Sequence, residues 1–243
     1  MEKILIITGG SKGLGLGLAK EYHKQGYRVI SISRSKIEKL YSIEHYKCDL
    51  SNSENIEPIL NKIFNQLDAE NTKNITLINN AGYLGEINRL DKIDASDISY
   101  TMSLNITAPL IITSQFIKNT KNWDCKKQIF NISSGAAITP YESWAMYCSS
   151  KAGIDMMTKV VAKEQENQIN GANIVSIYPG VVDTDMQAKI RSTSTKEFKA
   201  VIKFKELYEN NQLFTPSFVA KKIIELDFKG ELTNGRILDI RKI

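Results

Sequence analysis

The chain reads as an α/β protein: one doubly wound, parallel sheet of about seven strands flanked by helices, with residues 1–243 forming a single domain. Three observations point there. Short β-rich apolar runs alternate with helical patterns along the whole length. The first run passes directly into a glycine-rich turn that opens a helix. No internal repeat, low-complexity tract or interdomain linker breaks the alternation.

Lys3 to Thr8 (KILIIT) is the first expected strand. Gly9, Gly10, Ser11, Lys12, Gly13, Leu14 and Gly15 follow, and a helical pattern runs from Leu16 to Gln25, stopped by Gly26. Strand, glycine turn and helix are the setting of a phosphate-binding turn. Glycines let the backbone approach a pyrophosphate, and the helix N-terminus offers free N–H groups and a positive dipole end. The spacing is neither that of a Walker loop nor GxGxxG.

Arg28 to Ser33 is the second strand. It ends in Ser33-Arg34-Ser35 with no acid to take an adenosine 2′-hydroxyl, and Lys12 adds a second cation in the turn; together they point to NADP(H). Glu44 to Cys48 is the third strand, ending at Asp49-Leu50, with Ser51 or Asn52 as cap of a helix reaching about Leu67. Ile75 to Ile78 leads into Asn79-Asn80-Ala81-Gly82, small and amide residues that allow close approach to a ligand's sugar. Ser96 to about Asn119 is mostly helical, interrupted at Asn105 and Pro109, which indicates a kink or a buried polar role for Asn105.

The stretch Ile129 to Lys151 carries the expected chemistry. Ile129-Phe130-Asn131-Ile132 is a buried strand that delivers Ser133 and Ser134 to the carboxyl edge of the sheet. From Trp144 a helix runs to about Gln168 and presents Tyr147 and Lys151, at i and i+4, on one face. A nearby ammonium favours the phenolate of a tyrosine, and a serine hydroxyl that binds the same substrate oxygen completes a proton-delivery unit. A further strand, Ala172 to Tyr178, ends in Pro179-Gly180. Val181 to Phe214 is polar and lysine-rich, with the character of a mobile lid (185–214) rather than core. Pro216-Ser217 opens the last helix, and Gly235 to Ile240 closes with a strand.

Composition narrows the classes. The net charge of +5 is spread over scattered cations, and short groups such as Lys126-Lys127 and Lys221-Lys222 read as solvated helix faces rather than a nucleic-acid footprint. Three cysteines, Cys48, Cys125 and Cys148, have no metal-ligand spacing. With no signal peptide evident, they read as reduced thiols of a cytoplasmic protein. His23 and His45 read as surface or structural residues, so no metal site is expected, and no apolar run is long enough to cross a membrane.

Thr8-Gly9-x-x-x-Gly13-x-Gly15, Asn79-Asn80-Ala81-Gly82, Asn105, Ser134, Tyr147-x-x-x-Lys151 and Pro179-Gly180 occur together and in order. The combination resembles the short-chain dehydrogenase/reductase family over nearly the whole chain. That resemblance implies a Rossmann sheet, NAD(P) binding and hydride transfer at a carbonyl. It implies Tyr147 as proton donor, Lys151 as the residue that lowers its pKa and holds the ribose, and Ser134, selected over Ser133 by its interval to the tyrosine, as stabiliser of the substrate oxygen. Asn105 would support a water relay. Asp49-Leu50 would face the adenine, Asn80 with Ala81 and Gly82 the nearby ribose, and Val182 and Thr184 the carboxamide.

Narrower motifs, Trp144 to Cys148, Ala152 to Met156 and Asp183 to Gln187, look like the sepiapterin reductase branch. Ile132 to Ala137, Tyr147 to Lys151 and the ending Asn234 to Arg241 look like its bacterial benzil reductases. The branch implies a vicinal dicarbonyl substrate with aromatic or pterin groups. Met186, Ile190, Phe198, Phe204, Leu207 and Tyr208 would close over it, with Trp144 as an aromatic wall; alternatively these residues form the lid's own small core or a subunit contact. Asp239 falls where that branch anchors a pterin, or is a strand-end acid with a local partner. The expected partners are a small carbonyl substrate and further copies of the chain in a homodimer or homotetramer, with no nucleic acid or membrane. Rival readings are a dinucleotide-binding regulator without turnover and a serine hydrolase at Ser134, the latter lacking a nucleophile elbow.

Overall fold

The computed structural model describes residues 1–36, 42–230 and 232–243. Seven strands form one sheet in the order β3-β2-β1-β4-β5-β6-β7, every neighbouring pair parallel. They are β1 (Glu2–Thr8), β2 (Arg28–Ser33), β3 (Glu44–Lys47), β4 (Thr72–Asn79), β5 (Lys126–Ile132), β6 (Asn173–Tyr178) and β7 (Ile237–Asp239). Between them lie α1 (Gly13–Lys24), α2 (Ile56–Phe64), α3 (Ala95–Met102), α4 (Ala108–Thr120), α5 (Ala145–Glu166), α6 (Asp185–Ser192), α7 (Val201–Glu209) and α8 (Pro216–Lys229).

The period of two along β1 sorts its side chains onto opposite faces. Leu5 and Ile7 meet Leu18 and Tyr22 of α1 and Val219 and Ile223 of α8. Ile4 and Ile6 meet Ile56 and Leu60 of α2 and Ile112 and Phe116 of α4. Both faces are thus covered, and every strand of a parallel sheet points its carboxyl end to the same edge. The order reverses between β1 and β4, which opens a crevice at that edge.

Boundaries differ from the sequence reading for local reasons. Helix α1 begins at Gly13, three residues before the expected Leu16, because the glycine turn is also its first turn. Asn52, one of the two expected caps, accepts the Glu54 N–H and starts a short 3-10 turn before α2. The interruption at Asn105 is a π-helical segment, Ser103–Thr107, and Pro109 sits in the first turn of α4, where its missing N–H costs nothing.

Lys126 and Lys127 do not lie on a helix: they open β5, and Lys127 is buried with its ammonium held by the carbonyls of Trp123 (2.6 Å) and Asn170 (2.7 Å). The segment between β6 and α8 is not merely polar cover. Ile190, Phe198, Val201 and Phe204 are buried in it, and its base is closed by a parallel bridge between Val182 and Phe214. Among the described residues no helix is long and apolar enough to cross a membrane.

Candidate active site

The glycine turn forms a cradle. Gly9 (φ +67°) and Gly13 (φ +52°) lie in the left-handed region, and a β-carbon on Gly15 would stand 2.2 Å from the Gly9 carbonyl oxygen. Helix α1 has no side-chain cap and no acid in its first turn, so its leading N–H groups are available to an anion. The residues therefore fit a dinucleotide pyrophosphate. The Leu14 and Leu50 side chains are buried in the two cores, which leaves only their main chains for ligand contact.

Asn80 braces the cradle: its amide donates to the carbonyls of Thr8 (3.0 Å) and Gly9 (3.2 Å), and the Thr8 hydroxyl accepts the N–H groups of Asn80 and Ala81. Beyond β2, Arg34 is exposed and donates to the Tyr100 hydroxyl at 2.7 Å. Asp49 accepts the Ser51 N–H and hydroxyl. Burial raises its pKa, but these bonds and the charge of Arg34 outweigh that and hold the carboxyl below its usual range. Lys12 pairs with Asp185 at 2.8 Å, across the crevice from the turn that carries it.

At the carboxyl ends of β4 and β5 the catalytic candidates converge. Ser134 follows β5, accepts the Ala136 N–H at 3.2 Å, and its hydroxyl stands close enough to the Tyr147 phenol to lower its pKa. Ser133 points elsewhere: its hydroxyl donates to the Lys151 carbonyl and its N–H to the Ile177 carbonyl, both structural contacts. The ammonium of Lys151 donates to the Ile132 carbonyl at 2.8 Å and lies 5.6 Å from the Tyr147 ring centre. Asn105, buried in the π segment, holds both main-chain groups of Tyr83 (2.8 and 2.7 Å) and reaches the Ser150 hydroxyl at 3.1 Å. A β-carbon on Gly82 would touch Asn105 and Lys151 alike, each at 3.7 Å, so these two polar groups face one small gap.

The electrostatics differ from the expectation that Lys151 depresses the phenol. Burial pushes Tyr147 up to about 12, partly offset by the neighbouring Ser134 hydroxyl, and brings Lys151 down to about 8, partly offset by the Asp155 carboxylate one turn along α5. In the protein alone the lysine is bonded to a carbonyl, not the phenol, so desolvation dominates both groups. The result at neutral pH is a protonated phenol beside a mostly protonated ammonium. Such a pair can donate a proton to an oxygen held by Ser134.

Trp144 is buried and stacks on Phe198 (ring centres 4.8 Å apart), with Tyr141, Phe204 and Tyr147 around it. This is the small-core alternative for Phe198 and Phe204; Met186 packs half-buried against it. Val182 is taken up by the bridge to Phe214. Thr184 caps α6, and its methyl group would lie 3.2 Å from a β-carbon on Gly13, so the turn after Pro179-Gly180 closes down on the cradle. Asp239 is bound to Arg241, a local partner of the kind the strand-end alternative expects; the sequence ending Asn234 to Arg241 gives Arg241 itself no role.

A family model described as short chain dehydrogenase matches residues 3–195. Over 241 residues the chain is 39% identical to a benzil reductase ((S)-benzoin forming) of Bacillus subtilis, covering 99% of each. It is 29% identical to a sepiapterin reductase of Xenopus laevis, over 80% of this chain and 78% of that one. A solved structure of ElxO with NADP bound superposes with a TM-score of 0.80 at 27% identity, over 99% of this chain and 97% of that one.

Proposed function

Since the chain belongs to the short-chain dehydrogenase family, we propose that it is an NADPH-dependent reductase of vicinal dicarbonyl compounds, benzil-like or sepiapterin-like. The observation that carries this is the meeting of Ser134, Tyr147 and Lys151 beside an uncapped, glycine-cradled helix N-terminus. The similarity to a benzil reductase along the full chain supports the substrate class.

Bound at the cradle, NADPH supplies the hydride. Gly9, Ser11, Gly13 and Gly15 would surround its pyrophosphate, and Arg34 with Lys12 would answer the 2′-phosphate in place of a strand-end acid. Asp49 and Leu50 would border the adenine side, Asn80, Ala81 and Gly82 the ribose, and Pro179, Gly180, Val182 and Thr184 the far end. Ser134 and Tyr147 hold the carbonyl oxygen, and the Tyr147 phenol gives it a proton as the alcohol forms. Lys151 keeps positive charge beside that phenol, and Asn105 fixes the Tyr83 main chain.

The segment 185–214 serves as the lid over the substrate, built on its aromatic cluster. Exposed Leu110 on α4 with Met156 and Val160 on α5 support a homodimer or homotetramer, and the three free cysteines support a reducing, cytoplasmic setting. The test is NADPH oxidation by the purified protein over a panel of diketones and simple ketones, with an ester as hydrolysis control. Turnover of a diketone is expected; NADPH binding without turnover of any carbonyl would leave a non-catalytic dinucleotide-binding protein instead.

A further inference from the structure

The last strand ends in a charged fork. Asp239 closes β7, and Arg241 turns back over it: Nε donates to Oδ1 at 2.9 Å, Nη2 to Oδ2 at 2.6 Å, and the Arg241 backbone N–H to Oδ1 at 3.0 Å. The aspartate side chain is 10% exposed and the arginine 48%, so the acid is tucked against the sheet edge and the guanidinium faces outward. Paired donors on paired acceptors fix the plane of the guanidinium. Nη1 makes no hydrogen bond among the described residues.

The surroundings of that guanidinium belong to the substrate side. Its stem would lie 3.3 Å from a β-carbon on Gly180, in the turn after β6, and Nη2 would lie 3.4 Å from one on Gly135, the residue after Ser134. The Tyr141 phenol, near enough to interact with its charge, belongs to the aromatic cluster with Trp144. A fixed donor thus stands between the serine that holds the reacting oxygen and the far-end turn.

We propose that Arg241, aligned by Asp239, binds a second oxygen adjacent to the carbonyl being reduced and so selects 1,2-dicarbonyl compounds over simple ketones. The inference rests on the reductase reading above. Ser134 and Tyr147 supply donors for one oxygen; a vicinal dicarbonyl carries another on the neighbouring carbon, and the outward edge of Arg241 still has N–H groups to give. Asp239 offsets the arginine's charge, so the pair suits a neutral carbonyl oxygen without requiring an anion. Both carboxylate oxygens of Asp239 are already bonded to Arg241, which makes it a positioning residue acting through the arginine.

The test compares benzil with deoxybenzoin, which has the same two rings and one carbonyl, at saturating NADPH. Arg241→Met keeps the stem and removes the donors, and the benzil-to-deoxybenzoin ratio of kcat/KM should fall roughly tenfold or more, mainly through KM for benzil. Asp239→Asn should lower the same ratio by less, and adding it to Arg241→Met should change nothing further. NADPH affinity and melting temperature report on folding, and Arg241→Lys, which keeps charge but loses the fork, should recover only part of the ratio. An unchanged ratio in Arg241→Met and Arg241→Lys, or additive losses in the double variant, would overturn the proposal. A wild-type protein that reduces both compounds equally would overturn it alone; one that reduces neither would overturn the reductase reading with it.

Discussion

Lys12 and Asp185 are 173 positions apart in the chain, yet their charged groups meet at 2.8 Å across the mouth of the crevice. One stands in the glycine turn, the other at the first position of α6. The pair is exposed, so its Coulomb energy is screened, and the acid competes with any phosphate for the same ammonium. Asp185→Asn should therefore tighten NADPH severalfold at low salt while leaving NADH unchanged. Fluorescence titration of both cofactors measures this; equal changes for the two would mean that Lys12 does not read the 2′-phosphate.

Arg34 is the other cation assigned to that phosphate, and its Nη1 is steadied by Tyr100. A charge-assisted bond of about 1.5–3 kcal/mol corresponds to roughly ten- to a hundredfold in affinity. Arg34→Asp should weaken NADPH by that amount and narrow or reverse its advantage over NADH. A wild-type preference for NADH would remove the basis of the assignment.

Lys151 sets a pH limit. Burial holds its ammonium to about 8, so it is charged below that pH and neutral above, while Tyr147, at about 12, stays protonated through the same window. Reduction that needs the ammonium should be level below pH 8 and fall as pH rises through it. The Asp155 carboxylate favours the charged lysine, so Asp155→Asn should move the break to lower pH. Profiles of kcat/KM for both proteins decide the matter, and a break that stays in place or moves up counts against this role.

Phe198 is fully buried between Trp144 and Phe204. Phe198→Ala would forfeit about 3–5 kcal/mol of packing in a rigid core, but here the loss is limited by the free energy of opening the segment alone. Hydrogen exchange should accelerate within 185–214 and stay unchanged in β1, β4 and β5. Uniform acceleration across the sheet would show that the segment is not a separate unit.

Much of this architecture was legible in the sequence because strong local signals coincide with it. The run KILIIT followed by glycines reads as a strand entering a tight turn, and the interval to Tyr147 implied by the family resemblance separated Ser134 from Ser133, which the structure turns toward the Lys151 carbonyl. An asparagine followed by β-branched residues marked a kink or a buried polar role, without revealing a π segment or that the amide holds the Tyr83 backbone. What stayed hidden depends on distant pairing. In 185–214 the aromatic residues were visible, but whether they face a substrate or form the segment's own small core with Trp144 depends on how they meet in three dimensions. Lys127 read as a surface cation because nothing local announces two carbonyls placed to receive it. Asp239 drew attention by position, while Arg241 gained its place only from Gly135 and Gly180, far back along the chain.

The reductase reading stands on the Tyr147 phenol as proton donor. Tyr147→Phe removes the hydroxyl and keeps the ring packed against Trp144. The decisive experiment follows NADPH absorbance with benzil in wild type and in Tyr147→Phe, with NADPH affinity measured in parallel. Turnover should drop by about 10²–10⁴ while affinity holds; near-normal turnover in the phenylalanine variant would contradict the assignment.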